Sequence, residues 1–352
     1  MKAIPPQQTA SPLFSRSARQ HPCIPAGSDP PSSPITIGAE RPYPPILAHV
    51  AHVSPFRVGL DALSLSVPPF RPDLPTAHFF STLEPPRTCG AFRLKANFER
   101  RPTDRYFWTR RAEYVHDPAG HLLTLFSDRT RLSVPALFLK LRPAPGRLFS
   151  PREVVDLLAP VQAALRLPFL RLSRIELAAD FAIGQESFER LGSYLWVPRI
   201  EGFHRVGTPR DLPTFYWGSR RSARQVKLYW KREADEGCAR VEYTFRRRAL
   251  RRMGITRTFD LLSLDWPRLA ARHGRFVELD TGRTRRSAFV VMVLRDMLLH
   301  AGVSPVLRMK GPRYRRWIKG RLIPLPVQAN LEAALAALPQ SIHARQKGTR
   351  RA

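Results

Sequence analysis

Three short runs between Leu172 and Arg248 bring carboxylates, a tyrosine and cations together at the spacing of a β-strand. They are residues 173–181 (SRIELAADF), 225–231 (QVKLYWK) and 239–245 (ARVEYTF). Side chains of a strand alternate between two faces. Arg174, Glu176 and Asp180 therefore share one face of the first run, opposite Ile175, Leu177, Ala179 and Phe181. Lys227, Tyr229 and Lys231 share a face of the second, and Arg240, Glu242 and Thr244 a face of the third. Paired in one sheet, the runs would gather Glu176, Asp180, Glu242 and Tyr229 among cations on a single surface. Such a surface suits metal-assisted phosphodiester chemistry. Carboxylates take hard ions such as Mg2+ or Mn2+, and a bound ion draws charge from a phosphate that a tyrosine then attacks. A free phenol has a pKa of about 10 and is a poor nucleophile at neutral pH. Lys227 and Lys231, on either side of Tyr229, would favour the phenolate.

Each group also has a plainer account. Glu176 or Glu242 could pair with Arg174 or Arg240 as a cross-strand ion pair, which contributes roughly 0–1 kcal/mol when exposed. Tyr229 could simply cover a sheet, as strand tyrosines commonly do. Tyr216 and Tyr243 are rival nucleophiles, Tyr243 the weaker because it alternates to the face opposite Glu242.

The rest of the chain favours a polyanionic partner. Lys and Arg total 58 against 28 for Asp and Glu, a net charge of +30 over 352 residues. Such an excess is the footprint of nucleic-acid binding, although arginine-rich codon usage would produce the same number. Cys23, Cys89 and Cys238 are far apart and odd in number, so neither a disulfide framework nor a zinc knuckle is indicated and a reducing cytoplasm is expected. The N-terminus lacks the apolar core of a signal peptide. The most apolar later stretch, 288–299, is interrupted by Arg295 and Asp296 and is too short to span a bilayer.

Stepwise punctuation defines the elements that must position the candidate site. Residues 1–55 read as a Pro-rich disordered tail, or as the product of a mis-assigned start codon. Residues 61–67 alternate and stop at Pro68-Pro69, a strand. Residues 92–96, 122–126 and 136–141 are further strands, with Asp117-Pro118-Ala119-Gly120 as a hairpin turn. Ser150-Pro151-Arg152-Glu153 is a capping box with Pro at the first helical position. The helix behind it runs to about 165, with Val154, Leu157, Leu158, Val161 and Leu165 on one face. A short helix over 188–195 precedes the 215–217 strand, and helices are expected over 287–299 and 329–338. Residues 310–321 (KGPRYRRWIKGR) read as a basic, aromatic-containing connection. The fold class is α+β, an antiparallel sheet with packed helices over 56–252, then a basic helical segment over 253–340 and a loose end at 341–352.

At the level of motif, Thr214-Phe215-Tyr216-Trp217-Gly218-Ser219-Arg220-Arg221-Ser222, then Leu228-Tyr229-Trp230-Lys231, then Arg240-Val241-Glu242 resembles the central signature of the rolling-circle replication initiators. These are the transposase-like plasmid Rep proteins and the related filamentous-phage initiators. Arg174-Ile175-Glu176 with Asp180 is similar to the family's preceding strand, and residues 61–67 are similar to its opening one. Glu176 stands where Asp is commoner, Trp230 where Asp or Asn is usual, and the His-hydrophobe-His metal motif of the wider nickase superfamily is absent.

The resemblance implies a nicking and rejoining endonuclease acting on origin DNA through a 5′-phosphotyrosine. Tyr229 would be the nucleophile and Glu176, Asp180 and Glu242 the ligands of Mg2+ or Mn2+. Lys231 and Arg240 would be phosphate or orienting cations. DNA contacts are expected from Arg174, Gly218, Ser219, Arg220, Ser222 and Lys227, from Arg246 and Arg247, and from Arg313 and Arg316, with Tyr314 and Trp317 available to stack on bases. Partners implied are single-stranded or supercoiled origin DNA, a host helicase and a second copy of the chain. The alternative class is a non-cutting DNA- or RNA-binding protein on the same scaffold.

Overall fold

Alternation of apolar and polar residues along each strand dictates a sheet with one dry face and one polar face. The computed structural model describes residues 50, 52–67, 85–99, 107–117, 119–129, 135, 137–167, 169–198, 200, 203–207, 212–233, 236–280, 288–309 and 311–338. The end read at 341–352 lies outside them, as does the tail read at 1–55 apart from residues 50 and 52–55. The described residues belong to one compact unit.

Eleven strands make the main sheet. In chain order they are β1 (Pro55–Val67), β2 (Thr88–Cys89), β3 (Phe92–Glu99), β4 (Trp108–His116), β5 (His121–Arg129), β6 (Leu137–Arg142), β7 (Arg171–Phe181), β9 (Phe203–Val206), β10 (Thr214–Trp217), β11 (Arg224–Glu233) and β12 (Glu236–Arg246). Their spatial order is β2-β3-β4-β5-β6-β1-β7-β12-β11-β10-β9. The pairings recorded between neighbours are antiparallel. The first strand therefore lies near the middle, between β6 and β7. A smaller sheet of order β14-β13-β8 joins β8 (Leu195–Trp196), β13 (Arg275–Leu279) and β14 (Leu322–Pro324).

The dry face is built by alternate residues such as Leu60, Leu63 and Leu65 of β1, Ile175, Leu177 and Phe181 of β7, and Val241, Tyr243 and Phe245 of β12, all essentially inaccessible. Helix α1 (Pro151–Ala164) covers part of it with Val154, Leu158 and Val161. Its start is as expected: Ser150 is the N-cap, and its Oγ accepts a hydrogen bond from the Glu153 backbone N–H. Helix α2 (Gln185–Tyr194) adds Phe188 and Leu191. Phe188 meets Trp230, the residue that departs from the family pattern, at 5.9 Å between ring centroids. Trp230 thus faces the core, opposite Tyr229, and an added Cβ at Gly237 would lie 2.1 Å from its indole nitrogen.

After β12 come α3 (Arg247–Arg252), a 3-10 turn at Thr258–Ser263, α4 (Trp266–His273), α5 (Ala288–Ala301), α6 (Val303–Met309), α7 (Pro312–Lys319) and α8 (Pro326–Ala336). The packing crosses the boundary read at 252–253. Leu261, Trp266, Val327, Leu331 and Leu335 belong to the same core as the main sheet. A second cluster of Val277, Leu294, Leu298, Val306, Leu307 and Ile318 unites α5, α6 and α7 with β13. The connection read over 310–321 is corrected: residues 312–319 are helix α7, started by Pro312 at its first turn. Buried Ile318 gives that helix the apolar anchor that composition alone concealed. No described helix is long and apolar enough to cross a membrane.

One buried histidine ties α4 to the sheet. His273 Nδ1 accepts a hydrogen bond from Arg224 Nη1 at 2.8 Å, and its ring meets Phe245 edge-on at 5.0 Å. Burial, then the Arg224 and Arg272 charges, lower its pKa to about 4. The unfolded chain, with a histidine pKa of about 6.5, binds the proton first as pH falls. Stability should therefore decline between pH 6.5 and pH 4 and level off below. Urea unfolding across that range measures the slope, and His273→Gln should flatten it; an unchanged slope would assign it to other groups.

Candidate metal and tyrosine centre

The polar face of the central strands carries the candidate site. In the sheet β7, β12 and β11 are consecutive, as the paired-run expectation requires. Register sets Asp180 beside Arg240 and Arg240 beside Tyr229. One row along, Ala178 lies beside Glu242 and Glu242 beside Lys227. The next row sets Thr244 beside Glu176.

The strand on the other side of β7 supplies the residue that alternation misses. From Leu63, Leu65 and Val67, period two places Asp61 on the dry face. A bulge between Leu60 and Ala62 breaks that phase, so Leu60 opposes Leu177 while Ala62 opposes Glu176. The extra residue is Asp61, and its carboxylate turns to the polar face. There it accepts a hydrogen bond from Arg240 Nη1 at 2.6 Å. The sequence signal was a carboxylate at the head of an otherwise apolar alternation. The bulge itself leaves none.

Asp61, Glu176 and Glu242 each offer an oxygen within 4.8 Å of the others'. These three carboxylates could hold a metal ion. An all-oxygen donor set of this kind fits a hard dication rather than a soft one. The carboxylates are not bare: Arg174 pairs with Glu176 and Arg240 with Asp61, while Lys227 Nζ lies 2.6 Å from Glu242 Oε1. Thr244 Oγ1 also donates to Glu242, at 3.2 Å. Three cations around three acids lower the cost of burying them together.

Asp180 is not among the three. Its oxygens are occupied by Arg240, Nε at 2.5 Å and Nη2 at 2.7 Å, and by Arg57 at 2.6 Å. Asp180 and Arg240 are almost wholly inaccessible. The expectation of Asp180 as a ligand gives way to a different role: it holds Arg240, which in turn holds Asp61. By the same geometry the buried Arg240 guanidinium is directed at Asp180 and Asp61. A nearby loop runs alongside this end of β1: Leu60 and Phe149 form an antiparallel bridge, and an added Cβ at Gly59 would lie 2.6 Å from the Phe149 carbonyl oxygen. From that loop the Gly146 carbonyl accepts a hydrogen bond from Arg57.

Tyr229 stands at the edge of the carboxylates, donating its hydroxyl proton to Glu242 Oε2 at 3.4 Å. Its pKa is raised above the ordinary phenol value, by burial first and then by the Glu242 and Asp61 charges, with Arg240 opposing. The lysine effect expected from sequence is corrected accordingly. Lys227 is drawn to Glu242 and leaves the phenol protonated. Lys231 sits on the same face, opposite Cys238. Of the rivals, Tyr243 is buried in the core, whereas Tyr216 pairs with Lys227 on the polar side.

The expected DNA contacts divide into two groups. Gly218 takes φ +89°, and Ser219 and Ser222 lock the turn through Oγ contacts at 3.0 Å, leaving Arg220 exposed. Arg246 Nη1 donates to the Ser222 carbonyl at 2.6 Å and lies in register with Arg174, so this turn borders the carboxylates. Arg247 opens α3 beside it. Arg313 and Arg316 stand on the exposed side of α7, over the second apolar cluster.

Asp180→Asn should cost about 3–5 kcal/mol of stability, because it removes the fully buried one of Arg240's two carboxylate partners and leaves Arg57 without its own. Urea unfolding measures it, and a loss below about 1 kcal/mol would mean that water screens the pair. No protein-family model, no curated protein and no solved structure matches the chain.

Proposed function

We propose that the chain nicks and rejoins DNA by tyrosine transesterification, as a rolling-circle replication initiator of plasmid or phage type. The observation that carries this reading is the Tyr229 hydroxyl directed at Glu242, one of three clustered carboxylates, on a strongly basic chain. The similarity of residues 214–242 and 174–180 to the initiator signature supports it, as does their assembly on adjacent strands.

Asp61, Glu176 and Glu242 would hold Mg2+ or Mn2+, which supplies charge neutralisation at the scissile phosphate when bound. The chain's own residues do the rest. Glu242 Oε2 is placed to take the phenolic proton. The Tyr229 oxygen bonds to phosphorus, the bond from phosphorus to the 3′ oxygen breaks, and that oxygen takes a proton from water to leave as a 3′ hydroxyl. The 5′ phosphate stays on Tyr229 as a diester, so the reverse attack by a 3′ hydroxyl rejoins the strand without ATP. Arg240 keeps Asp61 in place, and Arg174 and Lys227 balance the acids before DNA arrives.

One observation favours the second reading, a binder that does not cut: the three carboxylates are each already paired with a cation, Asp61 with Arg240, Glu176 with Arg174 and Glu242 with Lys227. The two separate in a trapping assay. Purified protein is incubated with Mn2+ and single-stranded or supercoiled replicon DNA, then denatured and resolved for a covalent adduct. Wild type should form the adduct, and Tyr229→Phe and EDTA should abolish it. Glu242→Gln should slow it by about 100-fold or more. No adduct despite salt-sensitive binding would establish the binder. An adduct surviving Tyr229→Phe would move the nucleophile to another residue, Tyr216 first.

A further inference from the structure

The polar face does not end at the carboxylates. Ser64 lies in register with Arg174 on one side and Lys140 on the other. The same rows run on through Thr124 beside Lys140 and Phe126 beside Phe138, then Arg111 beside Phe126 and Phe98 beside Arg111. Residues in register share a face. The intervening residues Leu123, Leu125, Leu137, Leu139, Leu141, Ala112 and Tyr114 are the buried core of the opposite face. Phe98, Phe126 and Phe138 thus stand on the polar side, where a strand with one dry face would ordinarily place only hydrophilic residues.

These rings are grouped and interleaved with cations. Trp108 stacks on Phe138 with centroids 5.1 Å apart and meets Phe126 at 5.8 Å. The Arg111 guanidinium lies 5.4 Å from the centroid of Phe98, which is 43% exposed. Arg142 is exposed at the end of β6. Lys140 is lowered to about 8 by burial and by crowding from Arg142, Arg174 and Arg111, with Asp61 the counter-charge. Cations pressed together beside one exposed ring, Phe98, and two half-buried ones, Phe126 and Phe138, fit a ligand that brings both anionic charge and flat faces. From strand spacing and rise, Phe138 lies about 16 Å from Glu176, a span of a few nucleotides.

We propose that the β3–β6 half of this face is a track for single-stranded DNA leading to the carboxylate centre, with bases stacked on Phe98, Phe126 and Phe138 and phosphates over Lys140, Arg142 and Arg174. The destination of the track rests on the nicking reading; its binding chemistry does not. The test is the affinity for a fluorescein-labelled dT20 strand, read by anisotropy in EDTA so that no cutting intervenes. Phe126→Leu with Phe138→Leu keeps apolar volume but removes the π-faces, and should weaken binding by about 5- to 100-fold per ring. Lys140→Gln should weaken it and reduce the salt slope by about 0.7. Phe98→Ala, at a largely exposed ring, should also weaken binding and serves if the double variant does not fold. Unchanged affinity in folded ring variants would overturn the track, as would equal competition by a linear blunt-ended duplex, whose bases are paired and stacked on one another. Absence of a Tyr229 adduct with these losses present would overturn the nicking reading alone.

Discussion

The candidate centre depends on one buried ion pair. Arg240 and Asp180 meet through two hydrogen bonds in a region closed to water, and neither could be there without the other. Around this pair Arg57 satisfies Asp180 from the β1 side, and the remaining guanidinium nitrogen of Arg240 reaches Asp61. Three neighbouring strands are thereby fixed in register at the level of their side chains, beyond what their backbone ladders do. A charge network of this kind costs desolvation and returns positional precision, because Asp61 has one low-energy place to be.

Precision matters because the neighbouring acids repel one another. Asp61, Glu176 and Glu242 are kept close by a ring of Arg240, Arg174 and Lys227. Acids and cations thus set two opposed fields on one face, and under the proposed function the more accessible cations, Arg174 and Lys227, would meet the phosphates. Tyr229 sits where these two fields meet, on the carboxylate side.

Much of this was legible in the residues. Alternation alone separated Arg174, Glu176 and Asp180 from Ile175, Leu177 and Phe181, and the dry and polar faces follow that division. The Ser150 N-cap and the helix behind it were equally plain, because cap chemistry is local, whereas the Glu153 carboxylate that would complete a capping box meets His121. What could not be read was non-local or phase-breaking. The bulge at Asp61 shifts the phase by one residue without any special residue type to mark it. Asp180 carries the same side-chain chemistry as a ligand, and only its two arginine partners distinguish it. Helix α7 hides under a run of arginines, although Tyr314, Trp317 and Ile318, spaced i, i+3 and i+4 and packed on the second cluster, carry a helical period. The rings at 126 and 138 read as ordinary strand residues until their face is known.

The bond from Arg240 to Asp61 spans 179 residues of chain, and that from Arg240 to Asp180 spans 60. Contacts of such separation form late and slowly, after the intervening loop entropy has been lost. Asp61 leaves the ribosome long before Arg240, and β1 must wait between its neighbours with one acid unanchored. The Asp61–Arg240–Asp180 network is therefore assembled only once β1, β7 and β12 have paired. A growing chain carries its carboxylates dispersed, and the cutting chemistry proposed for it is withheld until folding is complete.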